Sequence, residues 1–291
     1  MADGEWTRRD LFKWAAFAGA AATGLAACQS TTSGDTLTAA KNANSIKIGI
    51  ANEAPYGFAD ASGNVTGEAP EVAKATFKGI GINGVQASVV PFDQLIPALN
   101  AKQFDVVAAG MNITPQRCKA ALFSIPDYTA LTALLVPKGN PQNVNTLQDV
   151  AAKKAKLAVL SAAVEKGYAT SAGVPEDQIQ VLDTQDNMLR AVTTGRVYAA
   201  ALTDISLKWL VKQNPDAPVE VTAGYNAAPG GQPSAGGFVF RKEDTSLRDA
   251  FNAQLKTLHD NGQWLQLASP FGFAAANLPP ADLTTDKLCA G

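Results

Sequence analysis

The chain is poor in the residues that build metal and redox centres. Its 291 residues include one histidine, His259, and three cysteines, Cys28, Cys118 and Cys289. With no CxxC pair and a single imidazole, the ligand sets that hold zinc cannot be assembled, and no metal or other cofactor is expected. Lys and Arg number 24 against 26 Asp and Glu, so no overall positive field exists to draw in nucleic acid. Long apolar runs are scarce too. The one that approaches membrane length is "LFKWAAFAGAAATGLAA", Leu11 to Ala27, interrupted by Lys13, Gly19 and Gly24. A bilayer span takes about 20 mostly apolar residues, and a run this rich in Ala and Gly packs weakly as a core helix.

Arg8 and Arg9 precede that run and small residues end it, the layout of a secretory signal peptide. "TRRDLFK" resembles a twin-arginine export signal, and "LAAC" resembles a lipobox, where cleavage precedes Cys28 and the sulfur takes a lipid. The expectation is a removed leader over residues 1–27, export, and a lipid anchor on Cys28. The alternative is an N-terminal membrane anchor that is never cut. The next stretch, "QSTTSGDTLTAAKNANS", is small and polar and reads as a flexible tether over 28–44. Folding is then expected to start near Ser45.

Beyond it, strand and helix patterns alternate. "SIKIGIA", "VQASVVPF" and the wholly apolar "FDVVAAG" read as strands, with helices over Ala69–Gly81 and Asp93–Gln103 between them. The same design recurs downstream: strands "KLAVLS", "QIQVLDT" and "VYAAALTD", each followed by a helical stretch. Alternating βαβ units imply parallel sheets, so the fold class is α/β with two lobes. Two extended segments, "TALLVPKGNP" and "GGFVFRKED", are placed to join them. If both cross, lobe 1 comprises 45–137 plus 237–291 and lobe 2 comprises 138–236, with a two-segment hinge and a cleft.

"FDVVAAGMNITPQRCKAALFSIPDYT", Phe104 to Thr129, resembles the core motif of family 3 extracellular solute-binding proteins, the cleft-closing receptors of amino-acid ABC importers. "GNVTGEAPEVAK" and "FVFRKEDTSLRDAFNAQL" fit the same family, and the resemblance runs from about residue 46 to 274. "NEAPYGF", "TGEAPE", "ITPQRC" and "PFGF" are further similar to the ectoine/hydroxyectoine branch. The resemblance implies a periplasmic-binding-protein-like type II fold, a small zwitterionic ligand (ectoine, hydroxyectoine or a polar or cationic amino acid), a membrane permease as partner, and a monomer. It also allows an enzyme on the same scaffold, since relatives became cyclohexadienyl dehydratases. A sensor ectodomain is the third alternative.

A zwitterion needs a cation for its carboxylate, an acid for its cationic group, and apolar walls. Arg117, just after Thr114-Pro115, is the expected carboxylate clamp, because a guanidinium offers parallel donors in a fixed fork. Gly110 and Asn112 fall at the carboxyl end of a strand, where open α/β sheets place ligands. Glu53 is expected to pair with the ligand's distal cation, with Tyr56 and Phe92 as aromatic walls. Asp204, after a buried strand, reads equally as a ligand for an α-ammonium and as a helix N-cap. Relatives carry Gly-Thr-Thr near Ala162-Ala163-Val164. With no hydroxyl at 163 or 164, although Ser161 is close, contacts from lobe 2 are left to backbone N–H groups. Glu165 is a weaker candidate for the cleft. Trp209 and Trp264 read as packing, and His259 as a helix C-terminal residue. An exported compartment permits a Cys118–Cys289 disulfide, with two free thiols as the alternative.

Overall fold

The computed structural model describes residues 35–231 and 233–290. The expected leader over 1–27, the lipidation site Cys28 and the first part of the tether lie outside the described residues. No helix among the described residues is long and apolar enough to cross a membrane.

The tether expectation fails for its second half, because Thr36–Ala43 is a helix, α1. Asp35 caps it, its carboxylate accepting from the Thr38 amide at 2.9 Å. Asn44, in the left-handed conformation, ends it. Leu37 and Ala40 pack into the core. The Asp35 carboxylate also accepts from the Ser246 hydroxyl at 2.6 Å, and the Thr36 hydroxyl donates to Asp244. A composition of small polar residues concealed this short apolar stripe.

The first run of chain continues through β1 (Ser45–Ile50), the short hairpin β2 (Phe58–Ala59) and β3 (Val65–Thr66), and α2 (Glu68–Gly79). It then forms β4 (Gly84–Val89), α3 (Leu95–Asn100), β5 (Val106–Asn112), α4 (Pro115–Ala120), β6 (Leu122–Phe123) and β7 (Tyr128–Thr129). A middle run forms β8 (Thr132–Pro137), α5 (Leu147–Ala152), β9 (Leu157–Leu160), α6 (Glu165–Ser171), β10 (Ile179–Leu182), α7 (Gln185–Thr193), β11 (Ala199–Thr203), α8 (Asp204–Gln213) and β12 (Val219–Val221). The chain returns with β13 (Ala235–Phe240), α9 (Thr245–Asp260), α10 (Gln263–Ala268) and α11 (Thr285–Ala290).

The first sheet has the order β4-β1-β5-β13-β6, with β7 also on β13; the second has the order β10-β9-β11-β8-β12. Each has a parallel core, β4-β1-β5 and β10-β9-β11, as βαβ units require. Each is then extended by an antiparallel strand that arrives from the other lobe: β13 on β5, and β8 on β11.

That pairing moves the first crossing. Residues 132–137 were expected in lobe 1, but β8 lies in the second sheet, with Ala133 opposite Leu202 and Leu135 opposite Ala200. Its run Thr132–Val136 is fully buried, and only a partner on each side satisfies its backbone. The crossings therefore fall near residues 130–131 and just before Ala235. Alternate residues of β5 feed two cores: Val106 and Ala108 meet α2 and α9, whereas Val107, Ala109 and Met111 meet α3 and the α4–α11 side. The alternation on β11 splits Ala200 and Leu202 from Ala199 and Ala201 in the same way.

Candidate functional site

The carboxyl ends of β1, β5, β9 and β11 all open on the space between the two sheets, where an open α/β sheet leaves backbone groups free for a ligand. Arg117 comes from β5 through a tight turn. Thr114 caps α4, its hydroxyl accepting from the Arg117 amide at 3.3 Å, and Pro115 takes the first helical position, where its missing N–H costs nothing. The side chain then turns back. Nη1 donates to the Asn112 carbonyl at 2.8 Å, and Nη2 donates across the cleft to the Ala162 carbonyl at 2.8 Å. The Phe92 ring lies against the guanidinium, 5.3 Å from ring centre to Cζ. Two of five N–H donors are thus used for positioning, and three are left by the described residues. Ala162 holds its carbonyl there from a left-handed backbone at φ 56°, an unfavourable conformation for alanine.

Two carboxyl groups face this guanidinium from opposite lobes. Glu53 sits in a narrow loop closed by paired backbone bonds to Gly57, at 2.9 and 3.0 Å. Glu165 opens α6 and is 2 % exposed. Neither lies within 4.0 Å of a Lys or Arg nitrogen among the described residues. Burial pushes the Glu53 carboxyl up to about 8, helped by the charge of Glu165 and opposed by Arg117. Burial pushes Glu165 up to about 7, opposed by its own backbone N–H and by Arg117. Burial also lowers Arg117 from its ordinary value, against the pull of Glu165. One cation facing two acids leaves the site one positive charge short when both acids ionise.

Three more contacts tie the lobes together. The Tyr56 hydroxyl donates to Thr203 Oγ1 at 2.9 Å, Gln185 Nε2 donates to the Ala54 carbonyl at 2.8 Å, and Trp209 of α8 packs on Phe58 at 6.0 Å between ring centres. Tyr56 also stacks with Tyr128 and Phe273, and the Tyr128 hydroxyl donates to the Gly110 carbonyl at 2.7 Å. Burial raises both phenols from their ordinary values. Gly110 lies directly beneath Tyr56: its φ is 59°, and a Cβ there would come within 2.2 Å of the ring.

An open cleft of about 1030 Å³ lies on the α4 and α6 side of Arg117. Of the sequence-predicted residues, Phe92 and Arg117 line it. Glu53, Tyr56 and Gly110 do not line it. Asn112 is buried; its carbonyl receives Arg117, and its side-chain amide donates to Ser234 Oγ at 2.6 Å. For Asp204 the structure departs from the N-cap reading. The N-cap is Thr203, and Asp204 is the first helical residue. Its carboxylate takes the Leu131 amide at 3.3 Å and pairs with Lys208, so it serves the crossing at 131. Cys118 and Cys289 are joined as a disulfide. The Ala163 amide, counted among free donors, is used by the Leu160 carbonyl at 3.2 Å. Trp264 is core, its Nε1 donating to Asp127 at 2.8 Å, and His259 packs edge-on against it. Tyr128, Thr203, Gln185 and the Ala162 carbonyl were missed. None carries a local signal, since each is an ordinary residue that tertiary packing brings to the cleft.

Two α/β lobes joined by paired crossings, with a charged cleft between their strand ends, define a two-lobed small-molecule binding protein. The chain belongs to the bacterial extracellular solute-binding proteins, family 3, which it matches over residues 46–273. It is 33% identical over 259 residues to the probable amino-acid ABC transporter periplasmic-binding protein y4tE of Sinorhizobium fredii, covering 88% of this chain and 86% of that one. It is 30% identical over 202 residues to the arginine-binding extracellular protein ArtP of Bacillus subtilis, covering 69% and 75%. Among solved structures it is similar to EhuB in complex with hydroxyectoine, with a TM-score of 0.79 and 34% identity over 88% of this chain and 99% of that one.

Proposed function

We propose that this protein is the solute-binding component of an ABC importer, and that it captures a small zwitterion by closing its two lobes. The ligand carboxylate takes the free N–H donors of Arg117, and its cationic group sits by Glu53 and Glu165, with Phe92 as a wall. The observation that carries this reading is the placement of Arg117: rooted in lobe 1, bonded to lobe 2 at Ala162, and facing one unpaired acid from each. Similarity to a hydroxyectoine complex and to an arginine-binding protein supports ectoines and cationic amino acids as ligands. The twin-arginine leader and lipobox support export and a lipid tether at Cys28, which would hold the receptor beside its permease.

A thermal-shift screen of ectoine, hydroxyectoine and the common amino acids, followed by calorimetry, tests the reading. Arg117→Ala should weaken binding of the best ligand by about 2–5 kcal/mol, as removing one partner of a buried charge pair does. Unchanged affinity would refute the carboxylate assignment. The second reading, a dehydratase on this scaffold, is favoured by one observation: Glu53 and Glu165 hold protons near neutrality, as a general acid must. Turnover of arogenate or prephenate would establish it, and inert substrates would leave the receptor.

A further inference from the structure

The family match stops at residue 273, and the chain continues into the cleft. Its C-terminal strap folds back over lobe 1. The Asn277 side chain donates to the Thr129 carbonyl at 2.9 Å, and the Asn277 carbonyl accepts from the Thr129 hydroxyl at 3.3 Å. The Thr285 hydroxyl donates to the Ser124 carbonyl at 2.6 Å. Leu283 and Leu288 pack into the core beside α3 and β5. Cys289 is then bonded to Cys118, the residue next to Arg117. Lys287 and Leu288, the two residues just before Cys289, line the cleft.

The cleft itself is large. About 1030 Å³ remains on this side of Arg117, although the lobes already touch through Tyr56–Thr203, Gln185–Ala54 and Arg117–Ala162. Pockets of about 300–1,000 Å³ hold drug-sized ligands, well beyond a bare amino acid. The walls are mostly apolar: Phe92, Ile96, Ile113, Tyr168, Pro233 and Leu288. A free ammonium finds little there. Asp93 is the one acid among the described lining residues and it is exposed, whereas Arg117, Lys166 and Lys287 are basic. Asp204, the expected ammonium partner, is held by Lys208 and Leu131. A ligand whose carboxylate meets Arg117 and whose cation points inward to Glu53 must direct any substituent on its α-position into this compartment.

We propose that the strap is a specificity element, which walls an outer compartment of the cleft and fits it to a neutral, apolar substituent on the carboxylate-bearing end of the ligand. This rests on Arg117 as the carboxylate clamp. The Cys118–Cys289 bond fixes the distance between clamp and wall, so Cys118 and Cys289 act as positioning residues.

Calorimetry with L-arginine and Nα-benzoyl-L-arginine tests the proposal on the oxidised protein, on Cys118→Ser/Cys289→Ser, on Leu288→Ala and on Arg117→Ala. The benzoyl derivative should bind the oxidised protein about tenfold more tightly than arginine, and that preference should shrink to about twofold or less when the disulfide is removed. The readout is the ratio of the two affinities: a looser clamp weakens both probes, and a purely structural role would move them together and leave that ratio unchanged. If the double serine variant does not fold, Leu288→Ala carries the same comparison. A benzoyl derivative that binds more weakly than arginine, or a preference untouched in both variants, overturns the proposal. If Arg117→Ala abolishes binding of both probes while the intact protein shows no preference, the strap proposal alone falls. If neither probe binds the oxidised protein, the strap proposal falls; if Arg117→Ala changes nothing for a probe that binds, the clamp falls and the proposal with it.

Discussion

The acids of the cleft make ligand binding depend on pH, with a sign fixed by their surroundings. The groups facing Glu53 are Glu165 from α6, Arg117 from α4, and the phenols of Tyr56 and Tyr128; those facing Glu165 are Arg117, Glu53 and Tyr168. With Glu53 pushed up to about 8 and Glu165 to about 7, both carboxyls are largely protonated in slightly acid solution. A bound cation needs an ionised partner. Binding at low pH must therefore expel a proton, and affinity rises as pH rises toward these values, then levels off. If Glu165 supplies the charge, its ionised fraction grows about tenfold between about pH 6 and pH 8; if Glu53 does, about fiftyfold, or roughly 2.3 kcal/mol. Calorimetry of L-arginine across that range, in buffers of differing ionisation enthalpy, measures both the slope and the proton released. Glu53→Gln and Glu165→Gln should each flatten the profile in part. A flat profile in the unmodified protein, or an affinity that falls with pH, would refute the reasoning.

Two other perturbations test the scaffold. Gly110→Ala forces a Cβ into the Tyr56 ring from a left-handed backbone; it should cost about 1–3 kcal/mol in chemical denaturation and weaken binding, since Tyr56 also bonds Thr203. Arg241 is 4 % exposed. Its Nε lies 2.7 Å from Asp244 Oδ2, close enough for an ion pair though off the line of a straight hydrogen bond, and Nη2 lies 3.2 Å from Asp105. Asp244→Ala should cost about 3 kcal/mol in the same assay, because it leaves a buried cation short of a partner and releases Thr36 of α1.

Much of the fold could be read from periodicity. Each predicted strand of the two parallel cores forms, because wholly apolar runs such as Val106–Ala109 have nowhere to sit but a sheet covered on both faces. What periodicity cannot give is partner choice. Thr132–Val136 is apolar and extended whichever sheet receives it, and the match of Ala133 and Leu135 with Leu202 and Ala200 decides the matter only in three dimensions. Helix α1 was missed because only two of its eight residues, Leu37 and Ala40, form the stripe that packs into the core, and its caps, Asp35 and Asn44, are ordinary loop residues until the helix exists. In the cleft, the meeting of Arg117, Phe92 and Glu53 was expected from their places beside strand ends and from the family resemblance, and their roles toward a ligand are proposed. Asp204 was open to several readings for a physical reason: an Asp after a buried strand suits a ligand, a cap or a salt bridge equally well, and the structure gives the cap to Thr203 and pairs Asp204 with Lys208 one turn on. Glu165 shows the converse. A glutamate in the first helical turn is normally a solvated partner of the helix dipole, whereas Glu165 is buried facing Arg117 of lobe 1.

The division of charge between the lobes bears on how binding and closure are coupled. Glu53 belongs to lobe 1 and Glu165 to lobe 2, so bringing the lobes together moves two acids toward each other and out of water. Arg117 offsets part of that cost, and its donation to the Ala162 carbonyl makes the offset available when the lobes meet. The remainder is met by protonation or by a second cation. A ligand carrying that cation interacts with both acids in the closed arrangement and with one of them when the lobes part, and such a differential interaction is what shifts a two-state equilibrium. The ligand carboxylate adds little to this difference, because Arg117 can hold it from lobe 1 alone. On this argument the carboxylate anchors the ligand to lobe 1, and the cationic group drives closure and with it much of the affinity. A carboxylate-bearing analogue without the cation should then bind weakly and leave the radius of gyration in small-angle scattering unchanged. Full compaction on binding that analogue would show that closure is driven from the Arg117 side instead.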